Sequence, residues 1–258
     1  MVKSTLLLGA LAAFSSYAQA KEMKVNEDKA QRLYDTGVIH NKLMASKQAV
    51  WEKQEAAGAF ASEQYPKLGY TKCVRGFAEA IKGDAKNTFA CHNADLYSFL
   101  SHADLGSTGG RGSSSWGWTS SDGREFVAIG QYDGTAFAEI TKKGQLVYLG
   151  RLPQYSVPSQ WREIRAYKNY VIIGSEAVGH GIQIFDFTKL LKIDPKKPVT
   201  FDAKKDLTSH FSALLPVGRA HNVVVNEELK YAVADGAQPR DDKNCASGLN
   251  FFDLTDPS

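Results

Sequence analysis

The sequence predicts a mainly β protein, a partial β-propeller of about three blades preceded by a helical N-terminal segment. Three observations carry that prediction. One eight-residue phrase is written three times, each copy follows another short β-branched or aromatic run, and turn residues separate the runs. The phrases are Gly134 to Thr141 (GTAFAEIT), Gly181 to Thr188 (GIQIFDFT) and Gly248 to Thr255 (GLNFFDLT). Each reads as Gly, an alternating apolar stretch, an acid, an apolar residue and Thr.

The elements follow in chain order. Met1-Val2-Lys3 supplies a positive charge, Leu6 to Phe14 a short apolar run, and Ala18-Gln19-Ala20 a small-residue cleavage site. That order predicts a secretory signal peptide over residues 1–20. A membrane anchor would need about 20 apolar residues, and this run reaches roughly half of that. No later stretch is long and apolar enough to span a bilayer. Residues 21–65 form a helical leader, with Asn26 as its N-cap and Gly37 breaking it in two. A further helix is expected from Ala90 to Phe99, and Ser107 to Ser115 reads as a loop.

Blades are expected within residues 66–258. Ahead of the phrases lie Phe126 to Gly130, Tyr170 to Gly174 and Tyr231 to Gly236; ahead of those lie Trp116 to Trp118, Trp161 to Tyr167 and His221 to Val225. Leu146 to Leu149 and Pro198 to Phe201 supply fourth strands for the first two repeats, and four strands per repeat is the content of a propeller blade. The phrases start at 134, 181 and 248. The second interval is therefore a blade-sized period plus about 20 residues, assigned to Asp202–Pro216 and Ala237–Ala246. The acids Glu139, Asp186 and Asp253 are read as capping the turns that follow them.

With 43% apolar and 23% charged residues the chain has an ordinary globular composition, and its net charge of +3 is mild. Basic and acidic residues are interspersed without a basic, aromatic-interleaved face, which argues against nucleic acid as a partner. Export makes disulfide pairing the default for the three cysteines. Cys73 and Cys91 would close a loop of about 18 residues, which contributes about 3 kcal/mol. Cys245 is then left over, as a free thiol, an intermolecular bond or one half of a pair with a cysteine outside this sequence.

The phrases, together with Gly76-Phe-Ala78, Asn93-Ala-Asp-Leu96, Trp116-Gly-Trp118, Tyr148-Leu-Gly150, Trp161-Arg-Glu-Ile164, Gly179-His-Gly181 and Ala220-His-Asn222, resemble the LVIVD repeat. The wider run, from about Cys73 to Pro257, resembles the choice-of-anchor B family of exported β-propeller proteins, including fungal secreted members labelled regulatory P domain-containing. The resemblance implies further repeats beyond those present. The chain is accordingly expected to be part of a longer ring, because three blades would leave open strand edges.

Counted back from the second strands, Trp116, Trp161 and His221 occupy nearly the same place in the three repeats, at the start of the innermost strand. They are the channel-lining or ligand candidates. A divalent metal held by His221 and His180 is one reading. The other has the tryptophans wedged between blades and His221 bonded to nearby backbone, and it has the stronger claim, since two histidines without a short-spaced partner make no metal signature. No Gly-x-Ser-x-Gly elbow, His-Glu-x-x-His pair or phosphate-cradling loop occurs. The expected function is a secreted or cell-wall binding module for an extracellular protein or carbohydrate. The alternative is a metal-dependent hydrolase or lactonase-like enzyme using His180, His221, Asp133 and Glu176.

Overall fold

A computed structural model describes residues 26–213, 215, 218–236 and 248–257. The signal peptide expected at 1–20 and Cys245 lie outside the described residues. Helix α1 (Glu27–Asp35) starts where Asn26 Oδ1 accepts a hydrogen bond from Lys29 N at 2.9 Å. Gly37, at φ 65°, separates it from α2 (Val38–Ala56). No residue of α2 is buried. No helix among the described residues is long and apolar enough to cross a membrane.

The chain from 60 to 111 packs on the sheets with little regular structure. Its strands β1 (Phe77–Glu79) and β2 (Thr88–Ala90) form a small hairpin beside the Cys73–Cys91 disulfide. The helix expected over Ala90–Phe99 does not form. Leu96 and Phe99 instead bridge antiparallel to Thr71 and Leu68, and Asp95 accepts hydrogen bonds from Cys73 N at 2.8 Å and Tyr70 Oη at 2.7 Å. A cross-link at Cys91 and a carboxylate held by backbone 22 residues away outweigh local helix propensity.

Three sheets follow, antiparallel but for one added strand of the first, so the fold is mainly β. The first contains β3 (Gly112–Thr119), β4 (Glu125–Gln131), β5 (Gly134–Ile140) and β6 (Leu146–Pro153). The second has β7 (Arg162–Tyr167), β8 (Tyr170–Ser175), β9 (Ile182–Asp186) and, after β10 (Val199–Thr200), its outer strand β11 (Ser209–Phe211). The third has β12 (Asn222–Asn226), β13 (Tyr231–Asp235) and β14 (Asn250–Asp253). Strand β3 begins inside the stretch expected to be a loop, because a bulge between Gly112 and Ser115 lets it pair with β4.

The second repeat departs from expectation at its fourth strand. Pro198 to Phe201 does not complete the second sheet: β10 pairs parallel to β6, as a fifth strand of the first. The outer strand of the second sheet is β11, drawn from the stretch read as an insertion. The phrase glycines gain a reason here. A Cβ at Gly134 would stand 2.5 Å from Leu152 O, and one at Gly181 would stand 2.6 Å from Phe211 O. In both, the next strand of the sheet approaches too closely for any side chain. The turn acids divide. Asp186 and Asp253 accept from Thr188 N and Thr255 N, each at 2.8 Å, whereas Glu139 reaches across the sheet to Arg124 at 2.6 Å.

The middle sheet is buried on both faces. Val171, Ile173 and Phe185 join Phe126, Phe137, Leu149 and Leu152 of the first sheet in one core, while Ile172, Ile182 and Ile184 join Val223, Ala232 and Ala234 of the third in another. Alternation along β8 thus serves two neighbours at once. Along the seams, β3, β7 and β12 lie side by side. Ser114 Oγ accepts from Ile164 N at 3.1 Å, and Ser113 Oγ accepts from Arg162 N at 2.9 Å, which stitches β3 to β7.

Candidate functional site

The N-terminal ends of β3 and β7 and one face of α2 enclose a cleft of about 420 Å³. The helix contributes His40, Met44, Gln48 and Trp51, spaced so that they share a face. The strand ends contribute Arg111, immediately before β3, and Gln160 and Trp161, immediately before β7. Tyr132, Glu176 and Arg219 add to a wall that also includes the 157–159 and 177–178 segments. The Trp51 and Trp161 rings meet edge to face at 6.0 Å, which is the main aromatic contact of α2 with the sheets.

Two guanidinium groups here are poorly satisfied. Arg111, 8% exposed, has its guanidinium 4.7 Å from the Phe60 ring centroid and 4.4 Å from that of Tyr132. Its polar partners, Glu55 and Gln160, are both at 3.5 Å, the outer limit of a hydrogen bond, and its Nε has none. Arg219 makes no hydrogen bond or ion pair among the described residues, and its Nε is inaccessible to solvent. Among the described residues, the cleft therefore holds guanidinium donors whose bonding capacity is not fully used. Its carboxylate, Glu176, accepts a hydrogen bond from His221 Nδ1.

The sequence-predicted residues are divided among three places. Trp161 lines the cleft, and His221 stands beside it through Glu176, just ahead of β12 with its backbone N bonded to Asp235 O at 2.8 Å. Trp116 is elsewhere. It pairs with Ala128 in the middle of β3, is 43% exposed, and lies 4.6 Å from the Arg165 guanidinium. Its register partner in the second repeat is Arg165, not Trp161, because the β3–β4 turn (Ser120–Arg124) is longer than the β7–β8 turn (Lys168–Asn169). Counting residues along the chain equated two positions that hydrogen-bond register keeps apart. Arg111 is the true counterpart of Trp161: their carbonyls accept from Tyr132 N and Glu176 N across the first pair of strands in each sheet. The bulge in β3 hid that equivalence, and neither Arg111 nor Arg219 was picked out by motif.

His180 is fully buried at the other side of β7. Arg162 Nη1 stands 2.9 Å from its Nε2, and a guanidinium only donates, so Nε2 accepts and the ring proton sits on Nδ1, donated to Gly181 O at 2.8 Å. Burial, and then the adjacent Arg162 charge, push its pKa down to about 3. Arg162 is itself 3% exposed and bonds Gln131 O at 2.7 Å; burial lowers its pKa to about 10. Asp133 is held by Arg151 at 2.5 Å. Burial pushes its carboxyl up, and hydrogen bonds from Arg151, Thr108 N and Ser107 Oγ outweigh that, leaving it at about 2. His180, His221, Asp133 and Glu176 thus separate into an Arg162-bound histidine, an Arg151-bound aspartate and one His–Glu pair. No group of three or more metal-ligating side chains comes together among the described residues.

No family model matches the chain. No curated protein matches it either.

Proposed function

We propose that the three sheets are consecutive blades of an LVIVD-type β-propeller, and that the protein is a secreted or cell-wall-associated binding module. Its ligand is an extracellular protein or carbohydrate, held in the cleft between α2 and the ends of β3 and β7. The blade reading is supported by the sheet orders, by the side-by-side first strands and by the double burial of the middle sheet. Secretion is supported by the N-terminal sequence and agrees with the Cys73–Cys91 disulfide.

The cleft carries the functional reading. It has the size of a small-ligand site, and combines aromatic walls with a few polar groups whose hydrogen-bonding capacity is unspent. The metal-dependent hydrolase would need His180 and Asp133 freed from Arg162 and Arg151, and nothing in the geometry favours that exchange. The test is binding of the secreted protein to a panel of cell-wall polysaccharides and extracellular proteins, with Trp161→Ala alongside. Loss of at least about tenfold in affinity on removing the indole supports the cleft, since a buried interfacial Trp carries about 2 kcal/mol or more. Equal binding by the variant, or no binding by the parent, overturns it.

A further inference from the structure

We propose that the cleft takes a carboxylate-bearing oligosaccharide, a uronic-acid-containing glycan; this rests on the binding reading above and narrows its ligand. The charge of the lining is the first argument. Of the two carboxylates near Arg111 and Arg219, Glu55 stands at the 3.5 Å limit from Arg111 and Glu176 is already occupied by His221. Arg219 has no partner among the described residues, and Arg111 has only stretched ones. Arg111 is buried with only stretched acceptors, and a bound carboxylate would offer it two parallel N–H···O bonds of a kind an ammonium does not reproduce.

The aromatic surface is the second argument. Trp51, Trp161 and Tyr132 offer ring faces and edges in the same cleft, and Lys47 Nζ lies 6.0 Å from the Trp161 ring centroid. A sugar ring presents a flat C–H face to such a wall and hydroxyls to Gln48 and Gln160. A uronic acid is the sugar that adds a carboxylate. An aromatic carboxylate shares the charge and the flat face but lacks the hydroxyls, so it is the natural control.

The experiment is calorimetric titration of the full secreted chain with three probes: a galacturonate trimer, its methyl ester, and benzoate. The trimer should bind at least about tenfold more tightly than its ester, and more weakly as salt rises. Arg219→Gln should bring the trimer's affinity down to that of the ester, and Arg219→Lys should restore the preference only in part. Arg219 bonds nothing among the described residues, so an unchanged thermal midpoint in the variant, measured alongside, distinguishes lost recognition from lost folding. Equal binding of trimer and ester, or indifference to Arg219→Gln, overturns the acidic-glycan assignment and leaves the binding module standing. Benzoate matching the trimer overturns the sugar while keeping the anion. No binding by any probe, with Trp161→Ala indistinguishable across the wider panel, removes both readings.

Discussion

The two seams between sheets are built from the same repeated phrase, yet they close differently. Between the first and second sheets, Phe137 stacks on Phe185 at 4.9 Å and 15°, Phe187 stacks on Trp118 at 5.2 Å, and Phe201 meets both Phe137 and Phe185 edge to face. Arg162 seals the end of this seam by reaching from β7 to Gln131 O. Between the second and third sheets the facing residues are mostly Ile, Val and Ala, and a cavity of about 350 Å³ remains beside Phe211 and Phe252. At the position of Arg162 the third sheet has His221, which reaches back to the Glu176 side chain rather than to buried backbone and stays half exposed. A shared phrase thus specifies strands and their faces, while the tightness of a seam depends on side chains contributed from outside the phrase.

The largest effect that could break this comparison is truncation of matched aromatics. Phe185→Ala removes a fully buried ring from the first seam, and should cost about 3 to 5 kcal/mol in urea unfolding. Phe252→Ala removes a half-buried ring that already borders empty space, and should cost less than half as much. Equal losses would show that the two seams are packed alike.

Acid should find the first seam next. His180 is neutral in the fold, with a pKa near 3, whereas the unfolded chain takes up a proton near 6.5. Its contribution is therefore complete above about pH 6.5 and is lost as pH falls from there towards 3, at about 1.4 kcal/mol per pH unit. Asp133, depressed to about 2, acts in a separate window, losing its contribution only below about pH 4. Urea unfolding at pH 6.5, 5.5 and 4.5 should show the His180 slope in the parent and a flatter line for His180→Gln. Parallel lines would mean that another group carries the acid sensitivity.

How much of this was legible depended on the period of each signal. Strand alternation and the repeated phrase located the first three strands of every sheet, because a two-residue period and a turn acid such as Asp186 are local properties. The two outer strands were not legible in the same way. Whether Val199 pairs with Gly150 or with its own sheet is decided by a connection folding back, and β11 is too short to advertise itself. The site was half legible. Trp161 and His221 stood out as rare residues, but counting across turns of unequal length aligned them with each other and with Trp116, whereas register sets His221 with Arg162 and Trp116 with Arg165. Arg111 and Arg219 carry no motif. Their distinction is unspent hydrogen-bonding capacity, which only the assembled cleft reveals.

The smallest stability effect concerns the outer face of the looser side. Alternation along β14 buries Asn250 and turns Phe252 towards Phe211, at 4.3 Å, which leaves Phe251 on the opposite face, 63% exposed and tilted against Tyr231 at 5.6 Å. Among the described residues β14 is an edge strand, and an apolar edge is a template for pairing with another chain. Phe251→Lys removes little buried area, so the unfolding free energy should shift by no more than about 0.5 kcal/mol. A lysine on an edge opposes strand addition through its charge, so any concentration-dependent association seen by sedimentation should fall in the variant while the urea midpoint holds. A large drop in stability would instead mean that Phe251 is packed, and that the second seam extends further around the third sheet than its cavity implies. No change in association would free β14 of any role in self-contact and leave the contrast between the seams a matter of interior packing alone.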